Sequence, residues 1–220
     1  MIQVESLTKK FIRNGKDFDA VHDVSMQINK GEFVAIIGHS GSGKTTLFNM
    51  IAGLVTPTSG KIHINDRELT GMSENEKAVF RNRNMGYVLQ GQSLLNNFTV
   101  LDNICMPAYL SSEKENFRDR ALELLKQIGL EEFANEYSSN LSGGEIRRVS
   151  IIRAMINNPK VILADEPTSN LDPENSHKIM KMLQDISKSG TTVLLSTHEL
   201  EYLSYVDTVF KMVKGNIMND

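Results

Sequence analysis

The segment Gly38-His39-Ser40-Gly41-Ser42-Gly43-Lys44-Thr45 has the residue types and spacing of G-x-x-x-x-G-K-[ST]. Glycines in such a run let successive backbone N–H groups turn toward one point. A following helix adds partial positive charge at its start, and the Lys44 ammonium adds a full one. The guest that suits this chemistry is a polyphosphate. The Thr45 hydroxyl suits Mg²⁺, which bridges terminal phosphates and offsets charge during phosphoryl transfer, so the expected ligands are ATP, or a relative of it, and Mg²⁺. The apolar run Phe33–Ile37 leads in as a strand and residues 46–52 lead out as a helix. A glycine-rich structural turn is the competing explanation, and these flanks argue against it.

A second chemical end follows the apolar run Val161-Ile162-Leu163-Ala164, which stops at Asp165-Glu166. Carboxylates at a strand end lie where α/β sheets bind ligands. Asp165 can hold Mg²⁺ through water. Glu166 points the other way if the strand persists, and can orient or deprotonate the water that attacks a γ-phosphate. Acidic residues also begin helices, so Asp165-Glu166-Pro167 taken alone could simply be a helix-start signal. The phosphate loop tips the balance toward chemistry. His198 follows the apolar run 192–196 and emerges at the same edge, although a lone histidine there can be structural.

Positioning these residues requires strands buried on both faces. The runs at 33–37, 161–164 and 192–195 are continuous rather than alternating, as in a largely parallel sheet, with helical patterns between them; the class is α/β. Residues 91–157 differ. They carry an amphipathic pattern over 113–126, with apolar Phe117, Ala121, Leu124, Leu125 and Ile128, and a second over 142–155, which together read as a helical insertion. The chain is therefore expected to be one domain, 1–220, with a nucleotide-binding core of 1–90 and 158–220 and a helical subdomain of 91–157. Residues 206–213 and 214–217 read as two short strands around a glycine turn.

Bulk composition narrows the classes. A net charge of −3 and a pI of about 6.0 give no broad positive field, so no nucleic-acid partner is expected. The single cysteine, Cys105, reads as a small buried apolar side chain. No apolar stretch approaches the ~20 residues of a spanning helix, so no direct membrane insertion is expected and any tie to a membrane runs through a partner.

Leu141-Ser142-Gly143-Gly144-Glu145 heads the second amphipathic pattern. Ser142 can cap a helix while Gly143 and Gly144 leave N–H groups open to an anion. This segment resembles the signature of ATP-binding-cassette ATPases. Gln90 is similar to that family's glutamine loop, Ser169-Asn170-Leu171-Asp172 to its aspartate loop and His198 to its histidine switch, so the resemblance covers essentially the whole chain.

The resemblance implies a phosphate-loop NTPase core with a mostly parallel sheet, an antiparallel β portion and a helical insertion. It implies that Phe11 stacks on adenine, although Phe11 could equally be core. Gly38, Ser40, Gly41, Ser42, Gly43, Lys44, Thr45 and Thr46 then hold the nucleotide, and Thr45, Gln90 and Asp165 the metal. Glu166 is the catalytic base, Gln90 senses Mg²⁺ and the attacking water, and His198 contacts the γ-phosphate. Ser142, Gly143, Gly144, Glu145 and Asp172 are nucleotide-binding positions too, with Ser142 and Gly144 reaching the ATP of a facing subunit. A head-to-tail homodimer enclosing two ATP follows, docked on an integral membrane permease at the cytoplasmic face of the cell membrane.

Within the family, Gly31-Glu32-Phe33, the signature, and Val100-Leu101-Asp102-Asn103-Ile104 are most similar to the macrolide-efflux, lipoprotein-release and cell-division group. The implied function is export of a macrolide, peptide, lipoprotein or similar amphiphile. The alternatives are a regulatory ATPase that moves no cargo, as in cell division, and a soluble cassette that moves none. The chain departs from the family at His39, where proline is common, at Phe11, where tyrosine is common, and at Ile146-Arg147, where glutamines often follow the signature. Docking is expected near Gln90 and the helical insertion, with Leu94, Leu95 and Phe98 either on that surface or in the core.

Overall fold

The computed structural model describes residues 1–13, 15–91, 94–111 and 116–218. Two sheets face each other across one core. The first is antiparallel: β1 (Ile2–Arg13) pairs with β2 (Lys16–Ile28) and β4 (Ser59–Ile64), and β4 pairs with β5 (Arg67–Glu68). The second has six strands. Its order is β10 (Asn216–Met218), β9 (Thr208–Val213), β3 (Phe33–Ile37), β8 (Thr192–Thr197), β7 (Val161–Asp165), β6 (Met85–Val88). All neighbours are parallel except the terminal β9–β10 pair.

The parallel strands form because they are apolar on both faces. Every residue of β7 and β8 is buried, as is β3 up to its last residue. The β9–β10 hairpin turns on Lys214 and Gly215, both left-handed at φ 46° and 84°, the geometry of a two-residue type I′ turn. The final strand pair expected from residue 206 starts at Thr208. The helix after the phosphate loop begins at Lys44 rather than 46.

Helix α1 (Lys44–Ile51) lies between the two sheets. Leu47, Phe48, Met50 and Ile51 pack with Ile2, Val4, Ile28 and Ile62 of the antiparallel sheet and Val34, Ile36 and Leu163 of the parallel one. On the other face of the parallel sheet, α6 (Pro173–Lys188) buries Ile179, Met180, Leu183 and Ile186 against Phe33, Ala35, Ile162 and Val193. Helix α2 (Glu74–Asn84) precedes β6. Its start is closed by Ser73 and Glu76 in a reciprocal capping box.

A third cluster joins α3 (Val100–Tyr109), α4 (Phe117–Gln127) and part of α5 (Gly143–Met155). In α4 the anticipated Phe117, Ala121, Leu124 and Leu125 are buried; residues 113–115 of the expected helix lie outside the described residues. Cys105 is buried in this cluster as expected. Leu94 is buried here too, whereas Leu95 and Phe98 are exposed.

Helix α5 departs from the one-sided pattern expected of it. Val149 and Ile152 enter the helical cluster while Ile151 enters the core under the parallel sheet. Apolar residues therefore appear on two sides, because α5 has packed neighbours on two sides.

Leu183 is fully buried and Leu122 is 39% exposed. Leu183→Ala is expected to lower unfolding free energy by about 2–5 kcal/mol, and Leu122→Ala by less than about 0.5 kcal/mol, as measured by urea denaturation.

Candidate functional site

Four adjacent parallel strands end at one edge, and each delivers one chemical group there. The phosphate loop follows β3, His198 follows β8, Glu166 follows β7 and Gln90 closely follows β6. A cleft of about 700 Å³ opens at this edge, lined by Phe11, Phe18, Ser40, Gly41, Gly43, Lys44, Thr45, Thr46, Gln90, Glu166 and His198, with Asp19, Ala20, His39, Lys214 and Gly215 beside them.

The phosphate loop ends at Gly43, which has φ 109°. A Cβ there would stand 2.2 Å from the Ala20 carbonyl oxygen, so conformation and space both require glycine. No side chain caps α1. Its first N–H groups are those that phosphate oxygens accept from at helix starts. Among the described residues the buried Ser42 hydroxyl has no hydrogen-bond partner, which makes it a second polar group suited to an anion. Lys44 is 4% exposed; its Nζ donates to the carbonyl oxygens of Gly38 at 2.7 Å and His39 at 3.3 Å. These groups fit a polyphosphate.

Glu166 is the hub. Its Oε1 lies 3.5 Å from Lys44 Nζ, and its Oε2 accepts from Gln90 Nε2 at 3.2 Å and lies 3.5 Å from His198 Nδ1. Its orientation does not come from strand alternation, as the sequence reading supposed. β7 ends at Asp165, and Glu166 is left-handed at φ 47°. That conformation is held by Ser196, whose carbonyl oxygen and Oγ each accept from the Glu166 N–H at 3.1 Å. A strained backbone so constrained costs on the order of 1–3 kcal/mol and is characteristic of functional turns.

The same Ser196 hydroxyl donates to Asp165 Oδ1. Asp165 is buried beneath the cleft rather than lining it. Its charge lies close enough to Tyr87 to add to burial in pushing that phenol above its usual range. His198 is exposed, and the next residue, Glu199, accepts from Thr168 Oγ1, tying this turn to the one after Glu166.

Phe11 is 39% exposed and lies in the cleft wall, not in the core. It stacks on Phe18 with ring centroids 5.9 Å apart and planes inclined by 29°, and Lys9 Nζ sits 5.2 Å from its centroid. Thr45, Gln90 and Asp165 supply only oxygen ligands of the kind Mg²⁺ takes, and Mg²⁺ is commonly held by one or two carboxylates together with substrate phosphates. Among the described residues no group of three or more His, Cys, Asp or Glu could hold a metal alone.

The signature segment stands apart from this cleft. Ser142, Gly143, Gly144, Glu145 and Asp172 are absent from its lining. Ser142 caps α5 in a capping box: its Oγ accepts from the Glu145 N–H at 3.4 Å, while Glu145 Oε2 accepts from the Ser142 N–H and Oγ, both at 2.7 Å. Those bonds hold the Glu145 carboxyl below its ordinary range, the Ser142 hydroxyl being the larger cause. Gly143 is exposed, and Gly144 is buried against the Asn175 side chain. Asp172 caps α6, accepting from Asn175 N at 3.0 Å and Nδ2 at 2.6 Å.

The family profile described as ABC transporter matches residues 21–169. The chain belongs to the ABC transporter family. An uncharacterised ABC transporter ATP-binding protein of Methanocaldococcus jannaschii is 38% identical over 219 residues, 99% of this chain and 98% of that protein. The macrolide export ATP-binding/permease protein MacB of Chlorobaculum tepidum is 39% identical over all of this chain, which spans only 34% of MacB. Among solved structures, the dimeric ATP-binding cassette MJ0796 in a post-hydrolysis state with ADP and Pi matches with a TM-score of 0.92 at 34% identity, over 100% of this chain and 97% of that one. The cbiO1 cassette from Clostridium perfringens, part of the ABC transporter complex cbiONQ, matches with a TM-score of 0.86 at 30% identity, over 99% and 86%.

This ABC cassette is thus an ATP-binding subunit with ATPase chemistry, on the α/β phosphate-loop fold. Sequence reasoning had missed Phe18, Asp19, Ala20 and Lys214 in the cleft and Ser196 behind it. Phe18 sits in a strand hairpin that no local pattern announced, and Ser196 reads only as the polar end of a buried run.

The capping box predicts a stability effect separate from any nucleotide role. Ser142→Ala is expected to lower unfolding free energy by about 1 kcal/mol. The Glu145 pKa is depressed in the folded state, so its contribution is complete above its ordinary value of 4.5 and lost as pH falls through the folded value. Thermal denaturation across pH should show the gap between wild type and Ser142→Ala narrowing in acid.

Proposed function

We infer that this cassette energises a separate integral membrane permease as a homodimer enclosing two Mg-ATP, peripheral to the cytoplasmic face of the cell membrane, with no nucleic-acid partner. The observation that carries the reading is the Glu166 carboxylate, met by Lys44, Gln90 and His198 from three other strand-end segments.

Lys44, the first N–H groups of α1, Ser40, Ser42 and the phosphate-loop glycines bind the ATP phosphates, and Phe11 stacks on the adenine. Thr45, Asp165 and Gln90 would hold Mg²⁺, which when bound would offset charge on the phosphates. Gln90 and Glu166 orient a water against the γ-phosphate. The water oxygen bonds to phosphorus, the bridging bond to ADP breaks, and Glu166 takes the proton. His198 donates to the γ-phosphate oxygens, and Lys44 balances charge on the leaving side.

Because Ser142, Gly143 and Gly144 lie away from their own cleft, they serve the ATP of the facing subunit, with Glu145 and Asp172 fixing that surface. Two such surfaces and two clefts close under two-fold symmetry. The dimeric state of MJ0796 supports this arrangement. Loss of the bridging phosphate on hydrolysis loosens the pair, and that motion is delivered to the permease.

Among the described residues no helix is long and apolar enough to cross a membrane, and coupling is assigned to surface contact. Exposed Leu95 and Phe98, which follow Gln90 along the chain, suit that docking. The name of MacB favours export of a macrolide or similar amphiphile, and membership of cbiO1 in a transporter complex favours a permease partner.

Glu166→Gln is expected to keep ATP affinity, lower turnover on the order of 10²–10⁴-fold and accumulate an ATP-bound dimer on size exclusion. Tagged and extracted from native membranes with Mg-ATP, it should bring a polytopic membrane protein in equal amount. Turnover at the wild-type rate would remove Glu166 as base. A dimer free of membrane protein in several detergents would overturn the permease reading.

A further inference from the structure

The helix that carries the signature segment also reaches into the catalytic edge of its own chain. Arg147, in the second turn of α5, is 6% exposed, and its Nη1 donates to the Leu89 carbonyl oxygen at 2.8 Å. Leu89 directly precedes Gln90, whose Nε2 donates to Glu166 Oε2 at 3.2 Å. The strand before it meets the helix a second time. A Cβ on Gly86 would lie 2.3 Å from the Ala154 carbonyl oxygen, so β6 and α5 approach there as only glycine allows. These two contacts, one near each end of the helix, tie α5 to β6 and to the residue that follows it.

A guanidinium is a demanding group to place here. Burial disfavours its charged form and lowers its pKa. What arginine adds over a shorter or apolar side chain is reach and a charged, planar donor fixed in direction. That donor is aimed at the backbone of the residue that sets where Gln90 begins.

We propose that Arg147 is a positioning residue that makes the placement of Gln90 against Glu166 depend on the seating of the signature helix. When Ser142 and Gly144 engage a nucleotide held by the facing subunit, α5 carries Leu89, and with it Gln90, into the hydrolytic arrangement in its own cleft. The two ATP sites of the dimer are thereby linked through α5. The inference rests on the roles given above to Gln90 and Glu166.

The test compares Arg147→Met, Arg147→Lys, Gln90→Ala and the Arg147→Met/Gln90→Ala pair in steady-state ATPase assays, with melting temperature measured in parallel. Arg147→Met is expected to lower kcat on the order of tenfold at unchanged KM and melting temperature. The Hill coefficient for ATP should fall toward that of independent sites. Arg147→Lys, which keeps a cationic donor, should recover part of the loss, and Arg147→Met should add nothing in the Gln90→Ala background. A lowered melting temperature with unchanged kcat would make Arg147 purely structural and overturn the proposal, as would multiplicative losses in the double variant. A Gln90→Ala defect beside a wild-type Arg147→Met enzyme would defeat the coupling alone. Full kcat in Gln90→Ala would remove the underlying role of Gln90, and the proposal with it.

Discussion

Everything at the cleft depends on four parallel strands, β6, β7, β8 and β3, lying side by side with their carboxyl ends at one edge. Neighbouring strands are ~4.8 Å apart, so groups that follow four consecutive strands can meet although they stand far apart along the chain. Glu166 stands where they meet. Its contacts with Lys44, Gln90 and His198 each cross from one strand end to another, and Ser196 of β8 holds its left-handed backbone. Were β7 and β8 to slip by one residue, Asp165 would lose Ser196 as its register partner and Glu166 would lose the acceptor of its N–H.

A second surface is built by a different means. The 142–145 segment is presented by a helix start rather than by the sheet edge, and its capping box settles its own polar groups locally. Helix α5 then runs between the helical cluster and the core beneath the parallel sheet. One helix thus connects the surface offered outward with the strand β6 that leads to Gln90, and the packing that makes α5 apolar on two sides makes that connection stiff.

The parallel strands were legible because burial on both faces leaves uninterrupted apolar runs such as Val161-Ile162-Leu163-Ala164, and the phosphate loop because its glycines and Lys44 have few other uses. The helix α4 was legible through Phe117, Ala121, Leu124 and Leu125, which recur at helical spacing. The antiparallel sheet was not legible from its residues and came only with the family resemblance. Along β1 the register shifts between Val4 and Leu7, Leu7 and Lys9, and Lys9 and Lys10, which breaks the alternation a strand is recognised by. The orientation of Glu166 was misread because alternation was carried one residue too far; only the fold reveals that the strand stops and the backbone turns left-handed there. Phe11 needed the structure to separate a cleft wall from core, and Leu94 to separate core from surface.

The central claim is that the position of the Glu166 carboxylate, and not merely its charge, organises hydrolysis. The most direct measurement is the single-turnover rate of ATP hydrolysis by Glu166→Asp, which keeps the carboxylate but withdraws it by one methylene from Lys44, Gln90 and His198. A loss on the order of a hundredfold with ATP binding intact is predicted. A rate close to wild type would contradict the account, because a carboxylate anywhere near the cleft would then suffice.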